Sequence, residues 1–153
     1  MKVILKHLSI HPLIQDFSIG KVSFSHLSLT QEALLIASSY QVNPRPMEII
    51  KPNLYQAQQL HEKIQFWLED QTVLYPVEES FRVEAIAASP EINVIRMETL
   101  SRLTHESNLI CVTHLGAALR YTPLPSFFKE QDIHLTVSQS IPLKVLSQKL
   151  RML

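Results

Sequence analysis

The sharpest change of hydrophobic period in the chain falls within residues 47–68. Met47, Ile49 and Ile50 form a short apolar run closed by Pro52, the pattern of a strand, and Asn53 then supplies a side-chain oxygen that can cap a helix. In that helix Leu54, Ala57, Leu60, Ile64, Trp67 and Leu68 share one face of a 3.6-residue period. Gln58, Gln59, Glu62, Lys63 and Gln65 occupy the other. The apolar face must be buried, and Trp67 alone carries on the order of 150–250 Å² of surface.

Similar units recur along the chain. Residues 1–20 carry an apolar start, Val3 to Leu5, open to helix or strand, and Pro12 and Gly20 are expected to break the stretch after it. Val22, Phe24 and Leu27 alternate with serines, which predicts a strand. Ser28 or Thr30 then caps a helix that buries Ala33, Leu34, Ala37 and Tyr40 and ends at Asn43, Pro44 and Pro46. Thr72, Val73, Leu74 and Tyr75 read as a strand before Pro76, and residues 81–88 as helix or loop. Ser89, Pro90 and Glu91 form a helix start, with Ile92, Ile95, Leu100 and Leu103 inward as far as about Glu106.

Leu109, Ile110, Cys111, Val112 and Thr113 make a continuous apolar and β-branched run, the mark of a strand buried on both faces. Gly116 to Leu119 predict a short helix stopped by Pro123 and Pro125. Ile133, Leu135 and Val137 alternate as a further strand, and Pro142 opens a closing helix through Leu143, Leu146 and Leu150. Strands alternating with helices imply crossover units, so the expected class is α/β with a mainly parallel sheet and flanking helices. Residues 123–130, where the composition shifts, are the expected boundary.

Composition narrows the function classes. The 153 residues are 46% hydrophobic and 18% charged, with no apolar run near the roughly 20 residues of a membrane span. His7, Ser9, His11 and Pro12 interrupt the apolar start before a secretory segment forms, and a single cysteine, Cys111, suits a reducing compartment. The expected location is cytoplasmic, away from membranes. Net charge is zero, but residues 1–60, 61–110 and 111–153 carry +2, −5 and +3. The acidic centre, with Glu78, Glu79 and Glu84, reads as a solvated face that could also meet a basic protein. A neutral chain without a basic stripe lacks the phosphate contacts that nucleic-acid binding needs.

Candidate chemistry is sparse. Gly20 and Gly116 stand alone, whereas phosphate cradles need clustered glycines. Between the expected first strand and its helix, a P-loop would need glycines and a lysine; Ser25, His26, Leu27, Ser28, Leu29, Thr30 and Gln31 supply neither. His7 and His11 are separated by Pro12 from helical ligand spacing, and no His-Glu-x-x-His or Cys-x-x-Cys set exists, so no metal is expected. Cys111 and His114 could form a thiolate and imidazole pair, but a cysteine in an apolar run usually packs as a small hydrophobe. No catalytic, cofactor-binding or metal residue is assigned, and neither a cofactor nor a small-molecule substrate is expected.

From Val22 onward the order of features resembles the N-terminal, UvrB-like region of bacterial transcription-repair coupling factors. The residues that carry the likeness are Asn53, Leu54, Gln56, Ala57 and Leu60; Leu74, Tyr75 and Pro76; and Ala88, Ser89, Pro90 and Glu91 with Arg96, Glu98 and Leu100. The run at 109–113, Leu119, Pro123, Pro125 and the stretch 146–153 complete the set, over roughly 130 residues. The resemblance implies a degenerate P-loop helicase domain over residues 1–125 and the start of the following UvrA-contacting domain at 126–153. It implies a non-catalytic segment of a parent protein that couples stalled RNA polymerase to nucleotide excision repair by recruiting UvrA. RNA polymerase and DNA would be engaged by domains absent here, as would the ATP-driven motor. Ending at Leu153, the chain looks like a fragment lacking the family's usual UvrA-contact residues. The alternative is a stand-alone cytoplasmic adaptor for protein–protein interaction.

Overall fold

The structure of the chain, a computed structural model, describes residues 2–20, 22–78 and 90–131, with single positions 137, 140, 142–144 and 147. They fall into two compact units, Met1–Arg120 and Tyr121–Leu153. In the first, the sheet is three-stranded, parallel and ordered β1-β3-β2, with β1 Met47–Lys51, β2 Thr72–Tyr75 and β3 Ile110–His114. Met47, Ile49 and Lys51 stand opposite Ile110, Val112 and His114, and Thr72 and Leu74 stand opposite Ile110 and Val112. The apolar run at 109–113 is thus the central strand, whose backbone is paired on both sides.

Crossover handedness then fixes where the helices lie. The connection from β1 to β2 passes β3 in one direction and the connection from β2 to β3 returns in the other, so right-handed crossovers place their helices on opposite faces. The first crossover is α4, Leu54–Leu68, capped by the Asn53 side chain 2.9 Å from the Gln56 amide. Its Ala57, Leu60, Ile64 and Leu68 are buried with Ile110 and Val112 of β3. The second is α5, Pro90–His105, whose Leu100 packs with Tyr75, Val77, Ala117 and Cys111 on the other face.

A third helix, α3 Leu29–Val42, packs beside α4 on the same side of the sheet, within reach of β1. The Ser28 hydroxyl accepts from the Gln31 amide while the Gln31 side chain accepts from the Ser28 amide, a complete capping box. Ala33, Ile36, Ala37 and Tyr40 bury against α4, and the Tyr40 hydroxyl donates to the Asn108 carbonyl just before β3.

Several expectations are corrected. Residues 1–20 form two helices, α1 Lys2–Ser9 and α2 Pro12–Ile19, because Pro12 sits at the first helical position, where its missing N–H costs nothing. Residues 22–27 are not a strand: they run as coil without a ladder partner among the described residues, with Val22 and Leu27 exposed. In α5, Ile95 and Leu103 face solvent and the buried position is Thr99. Trp67 is half-buried at the margin of the core.

After the short helix α6, Leu115–Ala118, the second unit opens with a helix, α7 Pro125–Gln131, where Pro125 starts rather than merely stops helical structure. The expected helix or loop at 81–88, the cap at Ser89 and most of the strand at 133–137 lie outside the described residues; Val137 itself is an exposed turn residue. Of the closing helix, Leu143, Lys144 and Ser147 are described and helical.

The burial pattern yields a mutational contrast. Leu60→Ala should cost about 2–5 kcal/mol, the range for a fully enclosed leucine, while Val94→Ala on the exposed face of α5 should stay within about 0.5 kcal/mol. Urea denaturation of both variants checks this, and equal midpoints would contradict the packing described.

Candidate interaction surface

The outer edge of β2 is built from polar contacts with α4 and α5. Thr99, inward on α5, donates its hydroxyl to the Leu74 carbonyl at 2.6 Å, so a buried side chain takes the place of a neighbouring strand. His61 of α4 bonds the Thr72 backbone; burial lowers its pKa, opposed by that bond and by the charge of Glu62. Arg96 donates from Nε to the Tyr75 hydroxyl at 3.0 Å, and its guanidinium lies 5.7 Å from the Tyr75 ring centroid. Arg102 binds Glu106 through two bonds of 2.7 and 2.9 Å and donates to the Asp70 carbonyl. The bond to Glu106 raises the Arg102 pKa and depresses that of Glu106. His61, Thr72, Glu98, Thr99 and Arg102 line a cleft of about 240 Å³ here.

Beyond this contact, α5 turns Val94 and Met97 to solvent beside Glu91 and Glu98. Exposed large apolar side chains among carboxylates suit a protein contact better than a small-molecule pocket. Of the acidic residues singled out in the sequence, Glu78 is half-buried and has a partner, while Glu79 and Glu84 lie outside the described residues. Thr99 and His61 escaped the sequence reading, and Arg96 entered it only through the family likeness. Thr99 was findable as the residue seven positions after Ile92 and midway between Ile95 and Leu103, on the same helical stripe.

At the carboxyl ends of the strands, where open α/β sheets usually hold ligands, the end of β3 is filled by an imidazole. A cavity of about 350 Å³ lined by Glu32, Lys51, Tyr55 and Gln56 remains at the end of β1. His114 is 1% exposed, and its Nε2 lies 3.3 Å from the Val77 amide and 3.0 Å from the Val77 carbonyl. Gly116 serves this ring: a Cβ there would stand 3.2 Å from His114 Cε1. Gly20, the other glycine, ends α2. Lys51, ending β1, is held 2.9 Å from both carboxylate oxygens of Glu32 in the first turn of α3.

Cys111 and His114 do not meet as a pair. Three residues apart on one strand, they project to opposite faces of the sheet. Burial, and then the nearby charge of Glu48, pushes the Cys111 thiol from its ordinary 9.0 to about 12, which removes the thiolate a nucleophile needs. The His11 side chain caps α2 by accepting from the Leu13 amide at 3.3 Å. Among the described residues no group of three or more His, Cys, Asp or Glu could hold a metal ion, and no helix is long and apolar enough to cross a membrane.

Sequence comparison adds what this geometry leaves open. The chain is 34% identical over 107 residues to the transcription-repair-coupling factor of Bacillus subtilis, covering 69% of the chain and 9% of that protein. It corresponds to one region of the transcription-repair coupling factors. The coupling factor of Staphylococcus haemolyticus is 28% identical over 125 residues, 81% of the chain and 11% of that protein. That of Staphylococcus epidermidis is 26% identical over 139 residues, 90% of the chain and 12% of that protein. The chain thus spans about a tenth of the length of the coupling factors it matches. No protein-family profile matches it.

The thiol gives two measurable outcomes. Near pH 8, where an ordinary thiol is partly ionised, a disulfide reagent should leave Cys111 unreacted in the folded chain and titrate it in urea. Because the fold favours the protonated thiol, its contribution to stability is complete below about 9 and is lost as pH rises toward about 12. Cys111→Ala should flatten that alkaline slope in thermal melts.

Proposed function

We propose that the chain is a non-catalytic, UvrB-like segment of a transcription-repair coupling factor, acting through protein contacts while the parent protein recruits UvrA and a separate motor consumes ATP. In this reading residues 1–125 are a degenerate helicase-like domain that has lost its nucleotide site, and residues 126–153 begin the UvrA-contacting domain. The observation that carries the proposal is the match to one region of several coupling factors. The state of the helix N-termini supports it. An anion site draws on unengaged amides at a helix start, and the caps take part of that set, the Ser28 and Gln31 amides at α3 and the Gln56 amide at α4. The apolar and acidic outer face of α5 is the kind of surface on which such a segment would make protein contacts.

Two measurements test the proposal. A bound nucleotide at a hundred times its Kd stabilises a fold by about 2.7 kcal/mol, a shift of several degrees for a domain of this size. No such rise in Tm should occur on adding Mg-ATP, and a rise of several degrees would overturn the non-catalytic reading. Biolayer interferometry with immobilised UvrA addresses recruitment: saturable retention of the full chain supports it. A Kd weaker than about 100 μM, or roughly −5.5 kcal/mol, would remove UvrA binding from the roles of this segment.

A further inference from the structure

The two edges of the sheet are treated differently. On β2 the outward backbone at Thr72 and Leu74 is occupied by His61 and Thr99. On β1 the Met47 amide bonds the Leu109 carbonyl on the β3 side, so by strand alternation the amides of Glu48 and Ile50 point to the outer edge. No described group pairs with that edge, and Ile50 is 49% exposed. Alongside it runs a cavity of about 560 Å³ lined by Met47, Glu48, Ile49 and Ile50 on one wall and by Phe24, His26 and Leu27 on the other. Strand rise, strand spacing and sheet thickness give about 160 Å³ per residue of an added strand. The cavity therefore has room for three or four residues, against the four of β1 that line it.

We propose that residues 22–27 are a docking strand that swings across this cavity and pairs in parallel with the free edge of β1, converting the sheet to four strands. Four further observations support it.

First, Phe24 and Leu27 are underpacked on both sides, since they also line a second cavity of about 270 Å³ against Leu8, Leu13 and Leu34. Second, Val22 and Phe24 alternate with Ser23 and Ser25 in the strand period although the backbone there is coil. Third, the connection is ready-made. Parallel strands need a crossover of a dozen or more residues, usually a helix, and α3 is a 14-residue helix between 27 and 47. It lies on the α4 side of the sheet, the side that makes a crossover into β1 from beyond its free edge right-handed, like the α4 crossover after it.

Fourth, two features hold the segment away. Phe24 meets Phe17 edge to face, with ring centroids 5.7 Å apart. His26 stands at φ 60°, a left-handed conformation that a strand residue does not adopt and that a β-branched residue strongly resists.

Amide hydrogen exchange followed by NMR on the full chain tests the proposal at Glu48 and Ile50. His26→Val disfavours the left-handed turn and Phe17→Ala frees Phe24, so each should slow exchange at those two amides by about tenfold as the docked population rises. Ile49, whose amide faces β3, should be unaffected. His26→Gly, which accepts positive φ freely, should leave Glu48 and Ile50 exchanging at least as fast as in the unaltered chain. Equal rates in all four proteins would overturn the proposal. So would slowing in the glycine variant, or slowing that grows with protein concentration, which would assign the edge to a second copy of the chain.

Discussion

The structure depends on β3 being enclosed. A strand with neighbours on both sides and cover on both faces leaves no backbone polar group to water, so each must find a partner within the protein. β1 and β2 supply those partners, and a parallel arrangement obliges each connection to cross over as a helix. From that requirement come α4 on one face and α5 on the other, with α3 beside α4 completing the cover over β1. Even the side chains at the ends of β3 serve the enclosure: the Tyr40 hydroxyl meets the carbonyl of Asn108 at its start, and His114 meets the backbone of Val77 at its finish.

Enclosure also explains why the elements around β3 were legible in the sequence and the periphery was not. The 109–113 run, the Asn53 cap and the single-faced stripe of α4 are signals in which local propensity and global packing agree. Residues 22–25 have the alternation of a strand without the neighbour that would make them one, and alternation alone cannot supply that neighbour. In α5 the inward stripe was misread because apolar character was taken as the guide. The helix packs against a strand edge that calls for hydrogen-bond donors, so Thr99 is the buried position while Ile95, one turn before it on the same stripe, stays at the rim of the cleft.

The chemistry of the site was legible mainly by exclusion. Two glycines without a cradle, a cysteine in a β-branched run and histidines without partners at ligand spacing all pointed away from catalysis. The structure gives several of these residues packing roles: Gly116 makes room for an imidazole, His11 caps a helix and Cys111 is held protonated by its surroundings. The similarity is to much longer proteins, in which a segment of this size is one piece among many.

The unequal edges of the sheet also bear on how the chain could associate with copies of itself. A sheet open on both sides can add strands indefinitely, the geometry of filaments. Here the edge of β2 is sealed by His61 and Thr99, so only β1 remains to accept a neighbour. If two chains joined at their β1 edges, each would cover the other's open side, leaving two sealed edges facing outward. Misassembly through this sheet would therefore end at a pair, and a helical threonine used to close one edge would act as a stop on polymerisation.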